Sequence, residues 1–516
     1  MLAKVLSFGL LGIEAYPVDI EVDVSRGLPS VTIVGLADTA IRESKERVKS
    51  ALKNCGFQWP AERITISLAP SNIRKEGSSF DLCIALGVLA ASSQLNPEAL
   101  KDYFIIGELG LDGSLKATSG ILPISLAVAK IAQKTGSINS ILLPFQNAKE
   151  AGLIKEIRAW PVKTLKEAVE FLHNPEVLSA FVSDPEASLR RNSGYEVDFC
   201  EVKGQYFAKR ALEIAVSGGH NVLMIGPPGA GKTMLAKRIP TIMPDLTLEE
   251  ALEVSKIHSV LGALPNEDGI IAKRPFRSPH HNTSLAALVG GGPLPQPGEI
   301  SLAHQGVLFL DELPEFSRNC LESLRQPLEE RLIRVCRIRK SLLFPASFML
   351  VAAMNPCPCG YYTDPKKACR CNPHKIAAYM GKISGPLLDR IDLHIELPAV
   401  KFKELSDTKE TEPSRLIKTR VEKARLTQRE RFREKGESIF CNAQMGARQI
   451  KKYCLLNDEA KELLKVAMTE LGFSARAYDK ILKVSRTIAD LAESEVIQPE
   501  HICEAIQYRS LDRNLF

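Results

Sequence analysis

Gly226-Pro227-Pro228-Gly229-Ala230-Gly231-Lys232-Thr233 decides how this chain is read. The apolar run Asn221-Val222-Leu223-Met224-Ile225 precedes it, and Met234-Leu235-Ala236-Lys237 follows with a helical pattern. A strand, a glycine-rich turn and a helix in that order make a P-loop. The glycines let main-chain N–H groups close around phosphate oxygens at the positive end of a helix dipole. In that frame Lys232 reaches the β- and γ-phosphates of ATP, and the Thr233 hydroxyl holds Mg2+.

Two further strand ends and two arginines are expected at the same site. Gly306-Val307-Leu308-Phe309-Leu310-Asp311-Glu312 is an apolar strand ending in two carboxylates. Asp311 is expected to position Mg2+, and Glu312 to orient and deprotonate the attacking water. The run 347–354 ends at Asn355-Pro356, a turn signal in isolation. As the third strand end in this order, Asn355 becomes a candidate sensor of the γ-phosphate. Arg390 lies in Ser384-Gly385-Pro386-Leu387-Leu388-Asp389-Arg390-Ile391-Asp392. It suits a finger reaching a neighbouring subunit's ATP, or equally a surface ion pair with Asp389 or Asp392. Arg476 opens an amphipathic helix and is either a second sensor or an ordinary exposed arginine.

At 516 residues, 45% hydrophobic and 25% charged, the chain has the composition of a soluble protein with several domains. No apolar run reaches the ~18 residues of a membrane helix, and the N-terminus lacks the pattern of a signal peptide. A cytoplasmic protein with no membrane partner is expected. The net charge is +6, and nine Lys/Arg against three Asp/Glu between residues 415 and 435 account for all of it. That run suits either a nucleic-acid face or a solvated helix.

Of the twelve cysteines, Cys55, Cys83, Cys200, Cys320, Cys336, Cys441, Cys454 and Cys503 read as small buried hydrophobes. Cys357, Cys359, Cys369 and Cys371 form two close pairs in one loop, a candidate Zn2+ site. One residue within each pair, rather than two, departs from the usual spacing.

The fold class expected is α/β multidomain. Strand patterns at 16–24, 30–34, 64–68, 104–109 and 140–144 mix with helical ones at 40–54, 81–91, 124–134 and 147–151. The divisions are 1–182, a polar linker 183–197, the P-loop unit 198–398 and a mostly helical region 399–516.

Together these motifs resemble AAA+ ATPases, and more narrowly the Mg-chelatase-like ComM/YifB proteins. The most specific stretch is Arg274-Pro275-Phe276-Arg277-Ser278-Pro279-His280-His281, then Gly290-Gly291-Gly292 and 297–304. It is similar to the helix-2 insert shared with Mg-chelatase motors and MCM helicases, which implies that the two histidines lie near a ring channel. The segment 332–344 resembles a pre-sensor hairpin. That resemblance implies a homo-oligomeric, hexameric ring in which Arg337, Arg339 and Lys340 bind phosphates of single-stranded or branched DNA. Residues 399–516 would be the AAA+ lid.

Residues 1–182 resemble a Lon-protease-like domain. Lys75-Glu76-Gly77-Ser78-Ser79-Phe80-Asp81 matches the stretch carrying the nucleophilic serine, at Ser79. The lysine that should serve as its base is replaced in Thr118-Ser119-Gly120-Ile121-Leu122-Pro123 by Leu122. A serine without a base is a poor nucleophile, so protease activity is not expected. The resemblance implies an ATP-driven DNA motor for branch migration during natural transformation. The rival readings are a Mg-chelatase motor subunit, an ATP-dependent protease and a nucleotide-gated remodelling protein with no DNA role.

Overall fold

Strand Val222–Ile225 lies inside a five-stranded sheet, between Met349–Met354 and Leu393–Glu396, and all four of its side chains are apolar and buried. The computed structural model describes residues 1–136, 138–191, 194–265, 269–292, 295–337, 340–362, 367–399, 411–433 and 439–509. They divide into two compact units, Met1–Asn192 with Thr247–Ala272, and Ser193–Leu246 with Lys273–Phe516.

The second unit holds the P-loop. Its sheet is ordered Phe276–Arg277, Val307–Leu310, Met349–Met354, Val222–Ile225 and Leu393–Glu396, and every pair is parallel. Strands buried on both faces read as continuous apolar runs, as these do. The register sets Ile225 opposite Met354 and Val222 opposite Val351. Consequently the residues after both strands, Gly226 and Asn355, emerge side by side. Helices Tyr206–Gly218 and Lys232–Ile242 supply buried apolar side chains to the same core.

The C-terminal helices are Ser414–Arg433, Ala447–Tyr453, Asp458–Leu471, Ala475–Leu491 and Pro499–Gln507. The basic run falls on the first of them, and the structure pairs much of it internally. Lys418 meets Asp245 at 2.6 Å, Arg420 meets Glu213 and Glu412, Lys423 meets Glu493 at 2.5 Å, and Arg431 meets Asp490. All of those carboxylates except Glu412 are distant in sequence, which is why the charge count alone left the run open as a nucleic-acid face.

The first unit is a seven-stranded mixed sheet ordered 30–34, 63–69, 14–25, 2–11, 104–105, 140–144 and 158–162. Strand Leu2–Leu11 was not anticipated, yet it lies mid-sheet, antiparallel to Glu14–Ser25 and parallel to Phe104–Ile105. The expected strand 104–109 is two short strands, Phe104–Ile105 and Glu108–Leu109. Helix Asp81–Ala91 is buried along its whole length. Its Asp81 carboxylate accepts from Ser44 and from Arg47 at 2.8 Å. Inside the expected linker, Pro185–Arg191 forms a helix capped by Asp184, whose carboxylate accepts from the Glu186 and Ala187 N–H groups.

Thr247–Ala272 follows the P-loop helix in sequence but belongs to the first unit. Helix Leu248–Val260 packs against helix Ile121–Thr135. The Gly120 N–H donates to the Ser259 carbonyl at 2.9 Å. The buried Glu150 carboxylate accepts from the Ser259 hydroxyl and from the Leu122 N–H at 2.8 Å.

Candidate nucleotide site

Gly226 ends its strand where a neighbouring main chain comes very close. A Cβ there would lie 2.5 Å from the Leu397 carbonyl oxygen. Helix Lys232–Ile242 then begins, with the buried Lys232 at its first position. The Lys232 ammonium donates to the carbonyls of Gly226 at 2.6 Å and Pro227 at 3.0 Å, and to Asn355 Oδ1 at 3.0 Å. Burial lowers its pKa, and the carboxylates of Asp311 and Glu312 oppose that.

The next residue closes the other side of the site. The Thr233 hydroxyl donates to Asp311 Oδ2 at 2.7 Å. A hydroxyl and a carboxylate oxygen in contact suit Mg2+, which takes few protein ligands and keeps water and phosphate oxygens. The Glu312 N–H donates to Asp311 Oδ1 at 3.0 Å. Glu312 has φ +53°, a left-handed conformation that turns the chain sharply at the strand tip. Its carboxylate is 55% exposed, accessible to a water nucleophile. Lys232, Thr233, Asp311, Glu312 and Asn355 therefore converge, although 123 residues separate Lys232 from Asn355.

The two arginines have other partners. Arg390 donates to Glu329 and to the Pro386 carbonyl, not to Asp389 or Asp392, and its side chain is 14% exposed. Asp389 instead pairs with Arg476 at 3.0 Å, and Arg476 is 70% exposed in the first turn of its helix. Asp392 accepts from Lys480 and lies 3.5 Å from His220 Nδ1. Burial alone would raise the Asp392 pKa, but Lys480 and His220 hold it far below the usual carboxylate range.

Two residues lie near the site without having been assigned to it from the sequence: His281, expected near a ring channel, and Gln205, which was not singled out. His281 Nδ1 lies 3.4 Å from Glu312 Oε2, with its ring tilted 34° against that of His280 at 4.0 Å between centroids. Its only signal was its place just after the edge strand Phe276–Arg277. The Gln205 side chain donates to the carbonyls of Ala230 and Pro398 at 3.2 and 2.9 Å, tying the P-loop to the chain after the last strand.

The hairpin pairs Leu332–Arg337 with Lys340–Pro345, and Arg337 is opposite Lys340. Arg339 lies outside the described residues. Among the scattered cysteines, Cys200 and Cys503 are exposed, contrary to expectation, while Cys55, Cys83, Cys320, Cys441 and Cys454 are buried. The clustered four gather so that their sulfur atoms all lie within 4.8 Å of one another. Cys357 Sγ lies 3.3 Å from Cys359 and 3.7 Å from Cys369, and Cys359 lies 3.6 Å from Cys369. Among the described residues no other group of three or more His, Cys, Asp or Glu could hold a metal ion.

The family models place these features. Residues 198–405 match the model of the magnesium chelatase subunit ChlI, 20–147 the model described as subunit ChlI of Mg-chelatase, and 411–509 the C-terminal model of that subunit. The competence protein ComM of Haemophilus influenzae is 44% identical over 517 residues, covering 100% of this chain and 98% of that protein. The uncharacterized protein YifB of Escherichia coli is 43% identical over 98% of this chain and 96% of its own. This chain belongs to the ComM/YifB family. Members of this family carry the Mg-chelatase-like AAA+ architecture, an ATP-driven motor that uses ATP and Mg2+. The Magnesium-chelatase 67 kDa subunit of Chlorobaculum parvum is 28% identical, over only 31% of the chain. No helix among the described residues is long and apolar enough to cross a membrane.

Proposed function

We propose that this ComM/YifB-family protein is a cytoplasmic, homo-hexameric ring that couples ATP hydrolysis to movement on DNA. Its reaction would be branch migration that promotes recombination of incoming DNA during natural transformation. The observation that carries the reading is the closed set Lys232–Asn355 and Thr233–Asp311, with a hairpin bearing Arg337 and Lys340 inserted between its second and third strands.

When bound, ATP supplies the phosphoanhydride and Mg2+ draws charge off its phosphates. Lys232 is placed to exchange its carbonyl partners for phosphate oxygens. Thr233 and Asp311 would hold the metal, Glu312 would take a proton from water, and Asn355 would position the γ-phosphate. Arg390 and Arg476 would leave Glu329 and Asp389 for a phosphate when subunits assemble. The four clustered cysteines would hold Zn2+.

The near-full-length likeness to ComM favours DNA over a porphyrin substrate, since the likeness to the chelatase subunit covers under a third of the chain. The deciding test is branch migration of a synthetic four-way junction, with Lys232→Ala beside the wild type. Failure to move the junction, together with ATP turnover indifferent to DNA, would defeat the DNA reading. Arg337→Ala should weaken DNA binding uniformly across sequences and lower the slope of log K against log salt by about 1.

A further inference from the structure

The chain between Asn355 and Asn372 has neither helix nor strand among its described residues. Both of its stems nevertheless reach the nucleotide site. The first stem leaves Asn355, whose side chain holds Lys232, and two residues later buries Cys357 completely. It then turns back through the Gly360 N–H to the Cys357 carbonyl at 2.9 Å. At that turn the Gly360 main chain rests on the P-loop. A Cβ on Gly360, which has φ +84°, would lie 2.6 and 2.8 Å from the Pro228 ring.

The second stem passes Cys369 and Cys371 and enters helix Pro373–Met380 through an Asn372 cap, which accepts from the Lys375 N–H at 2.8 Å. That helix returns a buried tyrosine, Tyr379, to the same asparagine. Burial raises the Tyr379 phenol to about 12, Glu315 adds to that, and a hydrogen bond from the Asn355 main chain opposes it.

Something other than secondary structure must therefore join the stems, and sulfur joins them. Cys357 and Cys359 come from the first stem, Cys369 and Cys371 from the second. The separations among Cys357, Cys359 and Cys369, 3.3 to 3.7 Å, are close to the roughly 3.8 Å edges of a tetrahedron with Zn–S bonds of about 2.3 Å, and the Cys371 sulfur lies within 4.8 Å of all three. Those separations are far too long for a disulfide bond of about 2.05 Å. Four thiolates would fill a tetrahedral metal ion's coordination and leave no open position, the mark of a structural rather than a catalytic site.

We infer that a Zn2+ ion bound by Cys357, Cys359, Cys369 and Cys371 clamps both stems, and thereby holds Asn355 and the Pro228 side of the P-loop in place for hydrolysis. ATP turnover then depends on a metal that touches neither nucleotide nor water. The inference rests on reading 226–233 with Asn355 as the hydrolysis site. A shift of about 1 Å in such groups costs on the order of 10²-fold in rate.

The experiment uses the full chain purified without chelator. Elemental analysis should find one zinc per chain in the wild type, and none in the Cys359→Ser, Cys371→Ser double variant. Stripping zinc from the wild type should lower ATP turnover about 10- to 100-fold, and reloading should restore it, which separates the clamp from simple misfolding. Gly360→Ala keeps every thiol, so it should retain zinc yet lose turnover by pressing on Pro228. Absence of metal, or disulfides in its place, would overturn the metal site. Zinc-free protein that hydrolyses ATP at the full rate would overturn the clamp while leaving the metal site standing. Lys232→Ala, measured alongside, reports on the hydrolysis site independently. Full turnover there would remove the reading on which the clamp depends, whatever the zinc content.

Discussion

Lys75 in the first unit and Lys232 in the second are both buried lysines, and burial depresses the pKa of each. Both donate to main-chain carbonyls: Lys75 to those of Gly35, Leu68 and Pro70, and Lys232 to those of Gly226 and Pro227. The difference lies in what else faces them. Lys232 also holds the side chain of Asn355 and feels Asp311 and Glu312, whereas burial is the sole influence on Lys75. A buried lysine on carbonyls is therefore a staple by default. On the function proposed above, it becomes a phosphate ligand where carboxylates such as Asp311 and Glu312 gather beside it.

The loop after Lys75 shows the same contrast. Ser79 stands at the turn before helix Asp81–Ala91, and its carbonyl accepts from the Gly107 N–H at 2.8 Å. Leu122, at the position where a base is needed, is fully buried, and its N–H is committed to Glu150.

Four substitutions test whether the two lysines differ as their surroundings indicate. Glu312→Gln should bind ATP but hydrolyse it about 10²- to 10⁴-fold more slowly, the usual contribution of a general base. Nucleotide binding by fluorescence and single-turnover phosphate release would check this, and full turnover would undo the assignment of Glu312. Lys232→Ala should cost about 10²- to 10³-fold in turnover, as the loss of one positioned donor does.

Lys75→Met should leave ATP turnover unchanged. It should lower stability by about 1–3 kcal/mol through the carbonyls it strands, read by thermal unfolding. A turnover defect in this variant would mean that the two lysines are not as different as their surroundings indicate. The smallest effect belongs to Ser79→Ala, expected to alter neither ATPase, junction movement nor peptide cleavage. A peptidase signal that disappears with this serine would reverse the contrast.

The convergence of the candidate site residues was legible because each part is local: an apolar strand followed by one or two polar residues. Parallel register then brings Gly226 and Asn355 together with no further information. What escaped depended on partners far along the chain. Nothing near Arg390 pointed to Glu329, and nothing near His281 pointed to Glu312. The basic run on helix Ser414–Arg433 could not be told from a nucleic-acid face until Asp245, Glu213 and Glu493 were seen against it. Strand Leu2–Leu11 was missed because only its first residues, as far as Leu6, were weighed, and those as a targeting signal.

The Thr247–Ala272 segment has a genetic consequence. Ala251, Val254 and Ile257 on helix Leu248–Val260 are buried, and this helix packs against Ile121–Thr135. A gene cut at codons 182–197 would produce a motor fragment with that helix uncovered, prone to aggregate. The front and rear of this gene are therefore poor candidates for recombination as separate cassettes, and lineages should keep or lose them together.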